Sequence, residues 1–145
     1  MRNEQKGIDG VPDTASEDGN GEYDVIIVGA GAAGIGVAIA IAHAGIESLL
    51  VLDRETVGHS FSSWPDETRF ITPSFPSNSI GMLDLNSIAI GISPAFSMKV
   101  EHPTGKEYAE HLQDISDFFE LPVQEKTDVK SIEKIERLFH LETSE

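Results

Sequence analysis

The sequence contains no cysteine, and that single absence removes disulfides, thiolate metal sites and cysteine nucleophiles together. It also fits a reducing, cytoplasmic compartment. Basic residues are scarce: 10 stand against 25 acids, for a formal net charge of −15. A nucleic-acid partner requires a basic surface to neutralise phosphates, so the charge balance argues against one. The acids are spread along the chain, which suits a protein kept soluble in concentrated salt as well as an ordinary acidic cytosolic protein. Residues 1–22 lack the basic start and apolar core of a signal peptide. The histidines His43, His59, His102, His111 and His140 are scattered, with no two at metal-ligand spacing, and no metal site is expected. Ser60, Ser62 and Ser63 have no histidine–acid partnership implied by spacing, which disfavours a serine hydrolase.

Long apolar runs are equally rare. The exception is Val25 to Ala42, 18 consecutive uncharged residues, at the threshold of a membrane span. Gly29, Gly31, Gly34 and Gly36 interrupt it, so it reads as a strand, a tight turn and a helix, and no membrane partner is expected. At 145 residues the chain has room for one modest domain.

What the chain does contain falls into order. Residues 1–21 are glycine-rich and acidic, the composition of a disordered leader, and residues 22–145 form the folded domain. Tyr23 to Val28 predicts a strand buried on both faces. A turn at Gly29–Gly31 leads to a buried helix that runs to about Ala44, where Gly45 stands in the C′ position. Ser48 to Leu52 predicts a second buried strand, parallel to the first. Residues 53–102 are irregular, with Pro65, Pro73, Pro76 and Pro94, and predict short helical turns. Thr104 and Glu107 have capping-box spacing, and Tyr108, Leu112, Ile115 and Phe119 fall on one face of the helix that follows, with Pro122 closing it. Val123–Lys126 predicts a third parallel strand. Val129–Ile135 and Leu138–Thr143 predict antiparallel strands joined at Glu136 and Arg137, the start of a meander.

Gly29-Ala30-Gly31-Ala32-Ala33-Gly34 satisfies GxGxxG, and its setting is the one the chemistry requires: a strand before, a helix after, an acid at the end of the next strand. Gly29 permits the tight turn, Gly31 lets backbone approach a pyrophosphate, and Gly34 with Ala38 lets the helix lie near the strands. The helix N-terminus then aims free amides at the diphosphate. Asp53 ends the second strand, where a carboxylate accepts the ribose hydroxyls of adenosine and repels a 2′-phosphate; Arg54 beside it blunts that repulsion.

Tyr23 to Gly34 together with Leu49 to Glu55 resembles the amino-terminal FAD-binding motif of the superfamily of flavin-containing and Baeyer–Villiger monooxygenases and pyridine nucleotide–disulfide oxidoreductases. Gly58-His59-Ser60-Phe61 is similar to the Gly-Gly-Thr-Trp-like turn of the monooxygenases, and Arg69 to Ser74 resembles the arginine-containing segment after it. The resemblance implies that Gly29, Gly31, Ala32, Ala33, Gly34, Asp53, Arg54, Gly58, His59 and Ser60 bind FAD, with the backbone of Val129 meeting the adenine. Phe61 and Trp64 either stack on the flavin or pack a loop. Two departures are specific. The redox cysteine pair of glutathione-reductase-type enzymes is absent, and Ile71 stands where Baeyer–Villiger enzymes usually have an aspartate.

The expected fold is thus α/β, a Rossmann-like FAD-binding domain with a parallel sheet and an incomplete antiparallel meander. The expected function is the FAD-binding portion of an NAD(P)H-dependent, monooxygenase-like oxidoreductase. In that enzyme the flavin takes a hydride, reacts with oxygen and passes oxygen to a nucleophilic substrate. NADPH or NADH is expected only in the complete enzyme, whose nicotinamide-binding domain is absent from this sequence and could reside on a second chain. The alternatives are a non-enzymatic dinucleotide-binding module and an inactive truncated relic. No catalytic side chain is identified.

Overall fold

The computed structural model describes residues 21–75 and 84–144. The leader assigned to residues 1–21 falls almost wholly outside them, as do residues 76–83.

Strand β1 (Val25–Val28) is built of β-branched residues, which favour extended backbone. It pairs in parallel with β2 (Leu49–Leu52), Val25 opposite Leu49 and Val28 opposite Leu52. Helix α1 (Ala32–His43) connects them. Gly45 ends α1 as expected, at φ +84. Its amide bonds the Ala42 carbonyl and that of Ile46 bonds Ile41, so two of the last carbonyls are satisfied in a Schellman motif. Strand β3 (Val123–Gln124) adds to the far side of β2, giving the order β1-β2-β3.

Helix α4 (Gly105–Phe118) opens with the full capping box: the Thr104 hydroxyl accepts the Glu107 amide, and the Glu107 carboxylate accepts the Thr104 amide at 2.7 Å. Tyr108, Leu112 and Ile115 bury one face of α4 against Ile35 and Ile39 of α1 and Leu49 and Val51 of β2, forming one core. Across its edge, the His43 ring meets Phe119 edge-on at 5.6 Å.

The described parts of the irregular segment are held by polar bonds. It contains α2 (His59–Ser62) and α3 (Pro94–Ser97), the short helical turns expected there. Phe70 and Ser74 donate backbone bonds to Pro103 and Glu101. Buried Asn86 donates to the Thr72 carbonyl and the Ser74 hydroxyl, and receives the Tyr108 hydroxyl on its carbonyl at 2.7 Å. Strands β4 (Val129–Ile135) and β5 (Leu138–Thr143) form the expected hairpin, turned by Glu136 at φ +55.

Several expectations are corrected. β1 begins at Val25, and it is not buried on both faces: Val28 is 53% exposed, because it borders an open hollow at the carboxyl end of the strand. Helix α1 buries one side, through Ile35, Ala38 and Ile39, and leaves Val37 half-exposed on the other. β2 begins at Leu49, one residue later than predicted. β3 stops at Gln124 because Lys126 turns to φ +57 and gives its amide to the Glu55 carbonyl. Pro122 is not what ends α4. Glu120 at φ +49 does so, with the amides of Glu120 and Leu121 bonded to Asp117 and Ser116. No helix among the described residues is long and apolar enough to cross a membrane.

Candidate functional site

Beyond the carboxyl ends of β1 and β2 lies an open hollow of about 280 Å³. Ligands bind in this position on open α/β sheets. Its apolar walls are Val28, Leu52 and Val129, and its polar lining comes from Gly29, Asp53, Arg54, Thr127 and Asp128. The volume is at the lower end of small-molecule sites, enough for part of a dinucleotide and too small for a whole one.

The wall opposite the glycine turn is stitched to β2 by backbone. Asp53 donates its amide to the Gln124 carbonyl and accepts the Thr127 amide at 2.8 Å. The Glu125 carboxylate accepts the Val57 amide at 2.8 Å. Outside, Lys126 pairs with Glu55 at 2.8 Å. The lysine's hydrogen bond and charge hold the Glu55 carboxyl below its usual range. The pair is solvent-exposed, so it adds little stability.

The three motif glycines differ in what demands them. Gly29 has φ +107, a conformation that side chains resist. A Cβ on Gly34 would sit 1.8 Å from the Gly29 carbonyl oxygen, so the helix and turn touch there. Gly31 has φ −80, and a Cβ on it would meet nothing within 4 Å. Nothing in the fold requires glycine at 31. The N-terminus of α1 is equally bare: no side chain caps it and no acid lies in its first turn. Its first amides, at Ala32, Ala33 and Gly34, are left for an external acceptor. The N-terminus of α4, closed by Thr104 and Glu107, offers no such opening.

Of the residues expected in the site, Gly29, Asp53, Arg54 and Val129 line the hollow together, and Gly31 to Gly34 lead from it into α1. Gly58, His59 and Ser60 do not line it. Gly58 is demanded by the fold, with φ +70 and a Cβ position 2.9 Å from the Ala109 Cα atom, while its amide bonds the Ala30 carbonyl. His59 and Ser60 are exposed on α2. Phe61 and Trp64 pack with Phe70 and Tyr108, Phe61 lying 4.9 Å from the Tyr108 ring and Trp64 5.2 Å from Phe70. Arg69 donates to the His102 carbonyl at 3.1 Å and approaches Glu107 at 3.8 Å. Sequence reasoning missed Val28, Leu52, Thr127 and Asp128. Their signal was position alone, at the strand ends and in the connection entering β4. No cluster of three metal-ligating side chains occurs among the described residues.

The parallel β-α-β unit, the glycine turn and the acid at the end of β2 define a Rossmann-like domain of the dinucleotide-binding type. Residues 26–145 match the pattern of the pyridine nucleotide-disulphide oxidoreductases, and the chain belongs to that family. Its fold is similar to that of bacillithiol disulfide reductase Bdr (YpdA) from Staphylococcus aureus, with a TM-score of 0.71 and 20% identity over 84% of this chain and 34% of that one. A flavin-containing monooxygenase from Stenotrophomonas maltophilia gives 0.61 and 17%, over 83% and 33% of the two chains. OTEMO, solved in complex with FAD and NADP, gives 0.61 and 20%, over 83% and 22%. The chain therefore spans about a third or less of the length of these proteins.

Proposed function

We propose that this chain is the FAD-binding portion of an NAD(P)H-dependent flavoprotein oxidoreductase of monooxygenase type. The observation that carries the reading is Gly31, a glycine that neither backbone conformation nor packing requires, set at the uncapped start of α1. A ligand lying against the backbone explains it, and a diphosphate suits the free amides. The adjoining hollow fits the adenosine half: Asp53 accepts ribose hydroxyls, and Val129 with Val28 and Leu52 faces the adenine. Arg54 lies at the mouth. Gly58, His59 and Ser60 follow on the segment whose Gly58 amide is tied to Ala30, and would hold the part of the cofactor that the hollow cannot contain.

FAD, when bound, supplies hydride acceptance and reaction with oxygen, and the protein contributes position and electrostatics. Dithiol exchange through this chain's own side chains is unavailable, since it has no cysteine. The solved relative holding both FAD and NADP supports a nicotinamide cofactor for the complete enzyme. The nicotinamide domain is then supplied by further sequence or by a second chain. A non-enzymatic nucleotide-binding subunit is the second reading.

Calorimetric titration of the purified chain with FAD, ADP and NADP tests the proposal. FAD and ADP should bind, with NADP weaker because its 2′-phosphate meets Asp53 and Asp128. Failure of both FAD and ADP to bind a folded chain overturns it. NADPH oxidation that appears only when a second chain is added establishes the subunit reading.

A further inference from the structure

The acid at the end of β2 is engaged within the protein before any ligand arrives. Asp53 Oδ2 accepts the Ala30 amide at 2.6 Å, and Oδ1 accepts the Glu55 amide at 2.7 Å. Ala30 is fully buried, so its N–H has no water to turn to, and a buried donor without a partner is strongly disfavoured. The positive φ of Gly29 aims that N–H back at the end of β2. The Ala30 carbonyl accepts the Gly58 amide at 3.0 Å, and the Gly29 amide bonds the Leu52 carbonyl at 2.7 Å. Ala30 is thus the hub of the turn, and Asp53 makes a charged bond to it.

We infer that Asp53 is a positioning residue for the diphosphate as well as a ribose acceptor. Its carboxylate clasps the glycine turn in the ligand-free protein, and so sets the direction of the free amides at Ala32, Ala33 and Gly34. Each carboxylate oxygen keeps a lone pair beyond the one given to the backbone, so the clasp and two ribose hydroxyls are compatible. Ribose and diphosphate are then read by one mechanical unit. This inference rests on the proposed dinucleotide site for its ligand, but the clasp itself exists without one.

The test uses Asp53→Asn, which retains one acceptor oxygen and replaces the other with a donor, and Asp53→Glu, which keeps the charge but moves it by one methylene. Amide exchange is followed by NMR in the ligand-free chain, with the Val51 amide of β2, bonded to Pro122, as the internal reference. Exchange at Ala30 and Glu55 should accelerate by about tenfold or more in both variants, with Val51 little changed. Inorganic pyrophosphate, which has no ribose, should also bind more weakly to each variant. Unchanged Ala30 exchange, or equal acceleration at Ala30 and Val51, overturns the clasp, since the first makes Asp53 a ribose ligand only and the second a general stability residue. Wild-type protein that protects Ala30 but binds none of pyrophosphate, ADP and FAD upholds the clasp and instead defeats the proposed function.

Discussion

Gly31→Ala and Gly34→Ala add the same methyl group three residues apart, and the structure assigns them opposite consequences. At position 34 the new Cβ falls 1.8 Å from the Gly29 carbonyl oxygen, a backbone atom that cannot swing aside. Over-packing of this kind costs typically about 1–3 kcal/mol and occasionally more, and this overlap belongs at or above the upper end. At position 31 the methyl group enters open space at φ −80. Alanine is a poorer N-cap than glycine by less than about 1 kcal/mol, while its stiffer unfolded chain returns about 0.4–1 kcal/mol. The net effect on ligand-free stability is close to zero. The same methyl group occupies the surface on which a diphosphate would lie, and a clash of about 1–3 kcal/mol there is roughly a 5- to 150-fold rise in Kd. Urea unfolding of the ligand-free proteins and calorimetric titration with FAD separate the two effects. Gly34→Ala should lose stability, whereas Gly31→Ala should unfold like wild type yet bind FAD poorly. A Gly31→Ala protein that binds FAD as tightly as wild type refutes the reasoning.

Other consequences follow from the groups that hold the irregular segment to α4. His111 is buried, its Nδ1 2.8 Å from the Ser97 hydroxyl, and burial lowers its pKa despite the opposing charges of Asp114 and Asp84. A base with a depressed folded pKa contributes stability above its ordinary value near 6.5, which is lost as pH falls toward the lower folded value. His111→Leu should therefore flatten the decline in urea midpoint as pH falls below 6.5; an unchanged slope refutes this. Tyr108→Phe leaves the Asn86 carbonyl without its buried donor and should destabilise by about 1–3 kcal/mol in the same assay. The Tyr108 phenol, pushed up to about 12 by burial and by Asp84, should remain protonated in a spectrophotometric titration through pH 10. Thr104→Ala opens the α4 capping box and should cost about 1 kcal/mol. The Glu107 carboxyl, held low by the Thr104 backbone and hydroxyl, contributes stability that is lost as pH falls through and below its ordinary value of 4.5. Glu107→Gln should remove that part of the acid transition in a pH-dependent melting series.

The sequence by itself determined the elements whose signals are local. β-branched runs, a C′ glycine at Gly45, the Thr104–Glu107 spacing and the Glu136–Arg137 turn each act through bonds to near neighbours; the glycine, the capping box and the turn stand where they were expected, and the strands start one or two residues late. It also placed Gly29, Asp53 and Arg54 side by side, because a strand-turn-helix pattern brings strand ends together whatever the rest of the chain does, whereas Val129 was expected from the family resemblance alone. Burial was decided only in three dimensions. Val28 and Val37 look like core residues but remain open, since periodicity reports which side chains are apolar and not what covers them. Thr127 and Asp128 joined the site through the β2–β3 pairing, a contact between residues some 70 positions apart that no local pattern encodes. Glycine itself was ambiguous along the chain. Only the folded backbone shows that Gly34 and Gly58 are required by atoms of this protein, while Gly31 is not, and that difference is what points to a ligand.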